Sequence, residues 1–121
     1  MQYLLLIYSN ESAAPDTASP QFTSGMKAYA DFTSEIKESK NLLGGNRLQS
    51  AATATTVRVR DGKTLLTDGP FAETAEQLGG YYLIEAANLD EALGIAARIP
   101  GAQWGTIEVR PVHPMQSPAS A

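Results

Sequence analysis

The sequence predicts an α+β fold of the ferredoxin-like type, a βαβ-hairpin-βαβ sandwich with both helices on one face of the sheet. Two segments repeat apolar residues at helical spacing, and apolar or β-branched segments flank each of them. An Asp-Gly pair between the two units marks a hairpin. The chain has 121 residues, which suits one domain with one core. We assign this domain to residues 1–112 and expect the Pro- and Ser-rich residues 113–121 to form a flexible tail.

The first unit begins with an apolar segment, Gln2 to Tyr8, which predicts a buried central strand. Pro20 after Ser19 suits a first helical turn, and Gly44-Gly45 is expected to end the helical segment. A short strand is expected from Leu42 to Leu48. The apolar stripe of the helix comprises Phe22, Met26, Tyr29, Phe32 (or Thr33) and Ile36.

The second half begins with the hairpin, whose strands Thr53 to Arg60 and Lys63 to Thr67 flank Asp61-Gly62. A two-residue turn of this kind needs positive φ, which favours Asp-Gly. Asn88, with Glu91 three residues on, resembles a capping box for a helix from Leu89 to about Arg98. Strands are expected at 78–86 and 106–112.

Composition excludes several classes of function. The formal net charge is −4 and no basic cluster occurs, which argues against binding of DNA or RNA. There is no cysteine, and the lone histidine, His113, lies in the expected tail, so we predict no metal site and no cofactor. The apolar N-terminus is too short for a signal peptide, and no segment approaches the length of a membrane span. We therefore expect a soluble, cytoplasmic protein without membrane contact.

The sheet is expected to carry more apolar side chains than one helix-packed face can bury. A two-fold homodimer that packs sheet on sheet would cover the second face. The residues that motivate this expectation are Tyr3, Leu5, Ile7, Tyr81, Leu83, Ile107 and Val109.

The segment 67–82 carries the most specific motif of the chain. It contains Asp68-Gly69-Pro70-Phe71, then Ala72-Glu-Thr74, then Gln77-Leu-Gly-Gly-Tyr81. Together with residues 3–8, 54–63 and 108–112, it resembles the DGPF-type branch of the YCII-related family over nearly the whole chain. The resemblance implies a dimeric α/β-barrel built from ferredoxin-like subunits. Relatives with this barrel include muconolactone isomerases and dehydrochlorinases, but fold alone does not fix function.

Two positions depart from the family pattern. Ala75 stands where DGPF-type members often have Lys, and Tyr29 stands near the place where the YCII branch has a His that is taken to pair with an Asp. A His–Asp dyad is therefore not available, and any acid–base chemistry must use other groups.

Asp68 is the leading candidate for a catalytic residue. A carboxylate held by this turn and partly desolvated by Phe71 would suit a general base. The structural alternative is an Asx-turn or helix N-cap, in which Asp68 accepts from backbone N–H groups two or three residues on. The two roles are compatible.

The candidate binding residues are basic or aromatic. Arg58 and Arg60 could hold a carboxylate or phosphate, as could Arg110, although strand arginines more often pair with nearby glutamates. Tyr8, Tyr81 and Phe71 could line a pocket, although packing in a core or interface is the commoner role of an aromatic residue.

Three functions remain open from the sequence. The first is a small-molecule isomerase- or lyase-like enzyme that uses Asp68 for acid–base chemistry on a small anionic metabolite, which Arg58 or Arg60 and Tyr8 would orient. The alternative is a non-catalytic metabolite-binding or regulatory dimer, since DGPF-type members tend to sit beside extracytoplasmic-function sigma factors. The third is a purely structural dimerisation domain.

Overall fold

The computed structural model describes residues 1–114, so most of the expected flexible tail lies outside the described residues. The elements follow the predicted order, and they confirm the mixed α+β, ferredoxin-like fold. The strands are β1 (Gln2–Ser9), β2 (Leu42–Arg47), β3 (Thr55–Arg60), β4 (Lys63–Asp68), β5 (Gln77–Glu85) and β6 (Thr106–Pro111), and the helices are α1 (Pro20–Glu38) and α2 (Leu89–Ala97).

Four of these strands form one antiparallel sheet in the order β2-β5-β1-β6. β1 therefore lies inside the sheet, as its apolar sequence predicted. β3 and β4 pair with each other in a separate two-stranded sheet. The structure thus has a four-stranded body and a hairpin outside it.

One face of the body carries the core. Tyr3 and Leu5 of β1 point to this face, with exposed fractions of 2% and 0%, and they pack with Ile36 of α1 and Ile95 of α2. Burial of such side chains contributes about 1.5–3 kcal/mol each to folding. Neither helix among residues 1–114 is long and apolar enough to cross a bilayer.

Apolar side chains do lie on the second face of the sheet, but they differ in part from the residues that were predicted. Directly opposite residues of an antiparallel pair share a face, and Leu6 lies opposite Tyr81 while Leu4 lies opposite Leu83. Leu4 and Leu6 therefore belong to the face away from the helices. The residues Tyr3, Leu5, Ile7, Ile107 and Val109 belong instead to the helix side.

The helix starts are confirmed. The Ser19 hydroxyl accepts from Phe22 N at 3.2 Å, and the Asn88 side chain accepts from Glu91 N at 2.9 Å. Each contact satisfies a backbone donor that the first helical turn leaves without a partner.

The predicted end of α1 was wrong. Gly44 and Gly45 lie within β2, and the residue with positive φ after α1 is Lys40, at 65°. Gly45 is required by the sheet instead, because a Cβ there would lie 2.7 Å from the Tyr81 carbonyl oxygen.

The hairpin turn is confirmed, with φ of 52° at Asp61 and 74° at Gly62. Positive φ at both central residues defines the primed turn, whose twist matches that of the flanking strands.

Candidate functional site

Polar side chains cross the open face of the body in one lateral row. Asn46 of β2 lies opposite Tyr81 of β5, which lies opposite Leu6 of β1, and Leu6 lies opposite Glu108 of β6. Because directly opposite residues share a face, all four side chains point away from the helices. We call this side of the sheet the open face.

At the β6 edge of the row, one carboxylate links two other side chains. The Tyr8 hydroxyl donates to Glu108 Oε1 at 3.3 Å, and an Arg110 guanidinium nitrogen donates to Glu108 Oε2 at 3.2 Å. The pairing of Arg110 with Glu108 agrees with the alternative considered for the strand arginines. Desolvation and the neighbouring Glu108 carboxylate raise the pKa of Tyr8, which keeps the phenol protonated at neutral pH.

At the other side of the row, the Asn46 side-chain amide donates to the Tyr81 hydroxyl at 2.8 Å. Among residues 1–114 the Tyr81 hydroxyl has no acceptor for its own proton. Tyr81 can therefore donate to a ligand.

Between these two polar groups the open face is apolar. Leu4, Leu6 and Leu83 are half-buried there, and Leu4 lies opposite Arg110 in the next lateral row. An apolar floor with a few oriented polar groups is the usual composition of a small-molecule site. The arrangement offers hydroxyl donors, a carboxylate base and a guanidinium that can pair with an anion.

Asp68 lies away from this row, at the end of β4 in the separate hairpin. Its side chain is exposed, and Phe71 is 79% exposed, so the expected desolvation of Asp68 by Phe71 does not occur within one chain. The expected Asx-turn or N-cap is also absent from residues 1–114, since Asp68 makes no side-chain hydrogen bond there and the next element after β4 is the strand β5. The turn is held by the backbone instead, with Gly69 N donating to Ala54 O at 2.7 Å.

The structure separates Asp68 from the two arginines predicted to act beside it. Asp68 lies opposite Thr55, whereas Arg58 lies opposite Leu65 and Arg60 opposite Lys63. Residue 55 and residues 58 and 60 differ by odd numbers, so Asp68 is on one face of the hairpin and both arginines are on the other. One chain does not bring these three groups together.

Tyr29, near the position of the family's histidine, has a structural contact on the helix side of the sheet. Its hydroxyl accepts from Gly101 N at 3.1 Å. Burial raises the pKa of Tyr29, and the hydrogen bond from Gly101 offsets part of this effect.

Glu108 and Asn46 were not among the predicted site residues, and Arg110 was considered only as one of three arginines. The sequence did indicate that Glu108 and Arg110 share one face of β6, because they alternate with Ile107 and Val109. Of the predicted residues, Tyr8 and Tyr81 lie on the open face, and Arg58, Arg60, Phe71 and Asp68 lie in or next to the hairpin.

This chain is similar to known proteins in both sequence and fold. The model of the YCII-related domain matches residues 1–116. An uncharacterized protein of Rhizobium meliloti (strain 1021) is 38% identical over 114 residues, which cover 93% of this chain and 92% of the relative. A solved structure of 5-chloro-2-hydroxyhydroquinone dehydrochlorinase from Burkholderia phenoliruptrix AC1100, in complex with 2,5-dihydroxybenzoquinone, aligns with a TM-score of 0.55 over 93% of this chain and 94% of that one.

The structural neighbour is 16% identical to this chain, so the likeness concerns the fold. The family model and the R. meliloti relative each span nearly all of the sequence. They confirm the resemblance that the motif of segment 67–82 indicated: this chain belongs to the YCII-related family.

Proposed function

We propose that this protein is a small-molecule enzyme whose site lies on the open face of the sheet, enclosed by a second copy of the chain. The row of Asn46, Tyr81 and Glu108, which is interrupted by Leu6 and flanked by Leu4 and Leu83, carries the proposal. A sheet face that is exposed to water normally carries polar side chains. This face instead has leucines between its polar groups. A ligand and a second copy together would cover those leucines.

The substrate class is a small, flat metabolite with an anionic group. The leucine floor suits a ring or an unsaturated chain, and Arg110 suits a carboxylate or an ionised hydroxyl. The dehydrochlorinase with the same fold holds a quinone in its solved complex, which supports this size of ligand by analogy.

The reaction we propose is a proton transfer of the isomerase or lyase kind. Glu108 can accept a proton, and Tyr8, which stays protonated at neutral pH, can donate one to developing negative charge. The acid–base role predicted for Asp68 remains part of the proposal in one form only. Since Asp68 lies in the separate hairpin and not on the sheet that carries the row, it would have to act from the second copy.

A non-catalytic metabolite-binding or regulatory dimer is the alternative. The observation that favours it is that both oxygens of Glu108 already accept a hydrogen bond, one from Tyr8 and one from Arg110. A carboxylate tied in this way can orient an anion-binding arginine without exchanging protons.

Thermal shift against a panel of small aromatic and unsaturated carboxylates would test the site. Tyr8→Phe and Glu108→Gln should lose the shifts that the parent shows. Two controls match these changes: Tyr3→Phe on the helix side of the same strand, and Glu35→Gln in an exposed ion pair with Arg98. If the controls lose the same ligands as the site variants, or if no variant differs from the parent, the open face is not the site.

Hits would then be incubated in D2O with parent and variants. Deuterium incorporated into the ligand by the parent, and about a hundredfold more slowly by Glu108→Gln, would indicate acid–base catalysis. Binding without exchange would favour the regulatory alternative.

A further inference from the structure

The open face offers a ligand two polar groups of different kinds, separated by leucines. On the β6 side, the Arg110 guanidinium donates to Glu108 through one nitrogen, and the rest of its planar fork can pair with a carboxylate. On the β5 side, the Tyr81 hydroxyl accepts from Asn46 and keeps its own proton. β5 and β6 flank β1, so their backbones lie two strand spacings apart, about 10 Å. A ligand with the length of one ring and its substituents can therefore contact both groups.

The positive charge of the open face is confined to the β6 side. The four strands of the body contain two basic residues, Arg47 and Arg110. The Arg47 guanidinium lies 5.7 Å from the centre of the Phe22 ring of α1, so it points to the helix side. The register agrees, because Arg47 follows Asn46 and successive side chains of a strand point to opposite faces. A carboxylate on the open face is therefore best placed beside Arg110, and a second one near Tyr81 would lack a cation from these strands.

The β5 side suits a neutral hydroxyl group. Tyr81 has a proton to donate, and the side-chain oxygen of Asn46 accepts no hydrogen bond among residues 1–114. The pair thus offers one donor and one acceptor, and a hydroxyl, which is both, can satisfy the two groups at once. A bare hydrocarbon at this end would displace water from both groups without replacing its hydrogen bonds, which lowers affinity.

We propose that the site selects hydroxy-substituted monocarboxylates. Arg110 binds the carboxylate, and Tyr81 and Asn46 bind a neutral hydroxyl about one ring away. This assignment rests on the proposed function for the place of the site, and it adds the residues that set specificity for one end of the ligand. Glu108 acts as a positioning residue for the guanidinium, and the carboxylate end of the ligand lies beside it and Tyr8.

Three para-substituted probes test the assignment on the full chain by isothermal titration calorimetry: 4-hydroxybenzoate, benzoate and terephthalate. The parent should bind 4-hydroxybenzoate at least about tenfold more tightly than benzoate, because the hydroxyl satisfies Tyr81 and Asn46. It should bind terephthalate at least about tenfold more weakly than 4-hydroxybenzoate, because the second carboxylate meets no cation and has no proton to donate. Equal affinity of 4-hydroxybenzoate and either other probe, or no binding of it at millimolar concentration, would overturn the proposal.

Two neighbouring tyrosines provide matched variants. Tyr81→Phe removes a hydroxyl from the open face, whereas Tyr82→Phe removes one from the helix side, where it bonds with Thr33. Tyr81→Phe should reduce the preference for 4-hydroxybenzoate over benzoate to less than about threefold, and Tyr82→Phe should keep the preference of the parent. Benzoate binding shows that each variant is folded. A preference that survives in Tyr81→Phe, or that disappears equally in both variants, would overturn the proposal.

Arg110 separates this proposal from the proposed function. Arg110→Gln should weaken 4-hydroxybenzoate and benzoate at least about tenfold, and Arg98→Gln, which changes an exposed ion pair with Glu35, should weaken neither. Unchanged affinities in Arg110→Gln would overturn the carboxylate end of the proposal. If Arg110→Gln weakens all probes but the parent does not prefer the hydroxyl, the proposal fails while the open face remains the site. If the preference depends on Tyr81 but no ligand exchanges deuterium, the assignment stands and the proposed catalysis fails.

Discussion

The body of the fold and the arm (the β3–β4 hairpin, residues 55–68) are both built of antiparallel strands, but their apolar side chains differ greatly in burial. In the body, Leu5 and Ile84 are fully buried beneath two helices. In the arm, Val57 and Leu66 lie opposite each other on one face of the hairpin, and both remain more than half exposed. Alternation along a strand thus specifies which side chains share a face, but it does not specify what covers that face.

The largest contrast should appear when one leucine is removed from each region. We expect Leu5→Ala to lower the free energy of unfolding by about 3 kcal/mol, because it leaves a cavity in the core. Leu65→Ala, on the arginine face of the arm, should change it by less than about 0.5 kcal/mol. Urea denaturation at one fixed protein concentration measures both. Similar losses would mean that the arm is as well packed as the body.

Substitution of two glycines in the body should change the stability of the protein in opposite directions. A Cβ at Gly101 would lie 2.5 Å from the Tyr29 hydroxyl, so Gly101→Ala should destabilise the protein by about 2 kcal/mol. A Cβ at Gly25, within α1, meets nothing within 4 Å, so Gly25→Ala should stabilise it by about 0.5–1 kcal/mol through helix propensity. Thermal denaturation would show the two shifts. A stabilising Gly101→Ala would contradict the close contact with Tyr29.

The buried phenol of Tyr29 predicts a dependence on pH. Because the pKa of Tyr29 is raised in the folded chain, the unfolded chain loses this proton first as pH rises through about 10. Its contribution to stability is complete below that pH and is lost above it. Tyr8 acts in the same direction. Tyr29→Phe should therefore cost about 1 kcal/mol at pH 7, from the lost bond with Gly101 N, and should weaken the alkaline loss of stability.

Urea titrations of parent and Tyr29→Phe at a series of pH values between 7 and 11 provide the measurement. An unchanged alkaline profile in Tyr29→Phe would show that other groups cause the loss.

The smallest effect on stability is expected at Asp68, in the arm. Its side chain makes no hydrogen bond within residues 1–114, so both Asp68→Asn and Asp68→Ala should shift the free energy of unfolding by less than about 0.5 kcal/mol. In the proposed dimer, Asp68→Asn should still alter turnover or affinity for any ligand found with the parent. Retention of every ligand and of all deuterium exchange would remove Asp68 from the site and leave Glu108 as the proposed base.

The elements that the sequence predicted well are those set by local chemistry. Ser19 and Asn88 cap their helices because a short side-chain oxygen can reach a backbone N–H three residues on. Asp61-Gly62 forms the turn because both residues tolerate positive φ. Gly44-Gly45 misled the prediction because a glycine pair is equally suited to a helix end and to a close approach of two strands.

The candidate site was predicted only in part. Tyr8 and Tyr81 were identified as aromatic residues on strands, and the register places both on the open face. Glu108 lies on the same face because β6 pairs with β1. Tyr8 and Glu108 are about 100 residues apart along the chain, so no local sequence pattern predicts their contact. Arg58 and Arg60 were predicted to orient an anionic substrate for Asp68, and the pairing of β3 with β4 puts them on the opposite face of the hairpin from Asp68.

The sequence by itself determined the order of strands and helices, the helix starts, the hairpin turn and membership of the YCII-related family. These follow from backbone preferences and from motifs within a few residues of one another. Only the tertiary structure decided which apolar strand residues lie beneath the helices, which polar groups meet across the open face, and that the strands of the arm pair with no other strand within residues 1–114. The physical reason is the two-residue period of a strand: the register between strands distant in sequence decides which side chains share a face.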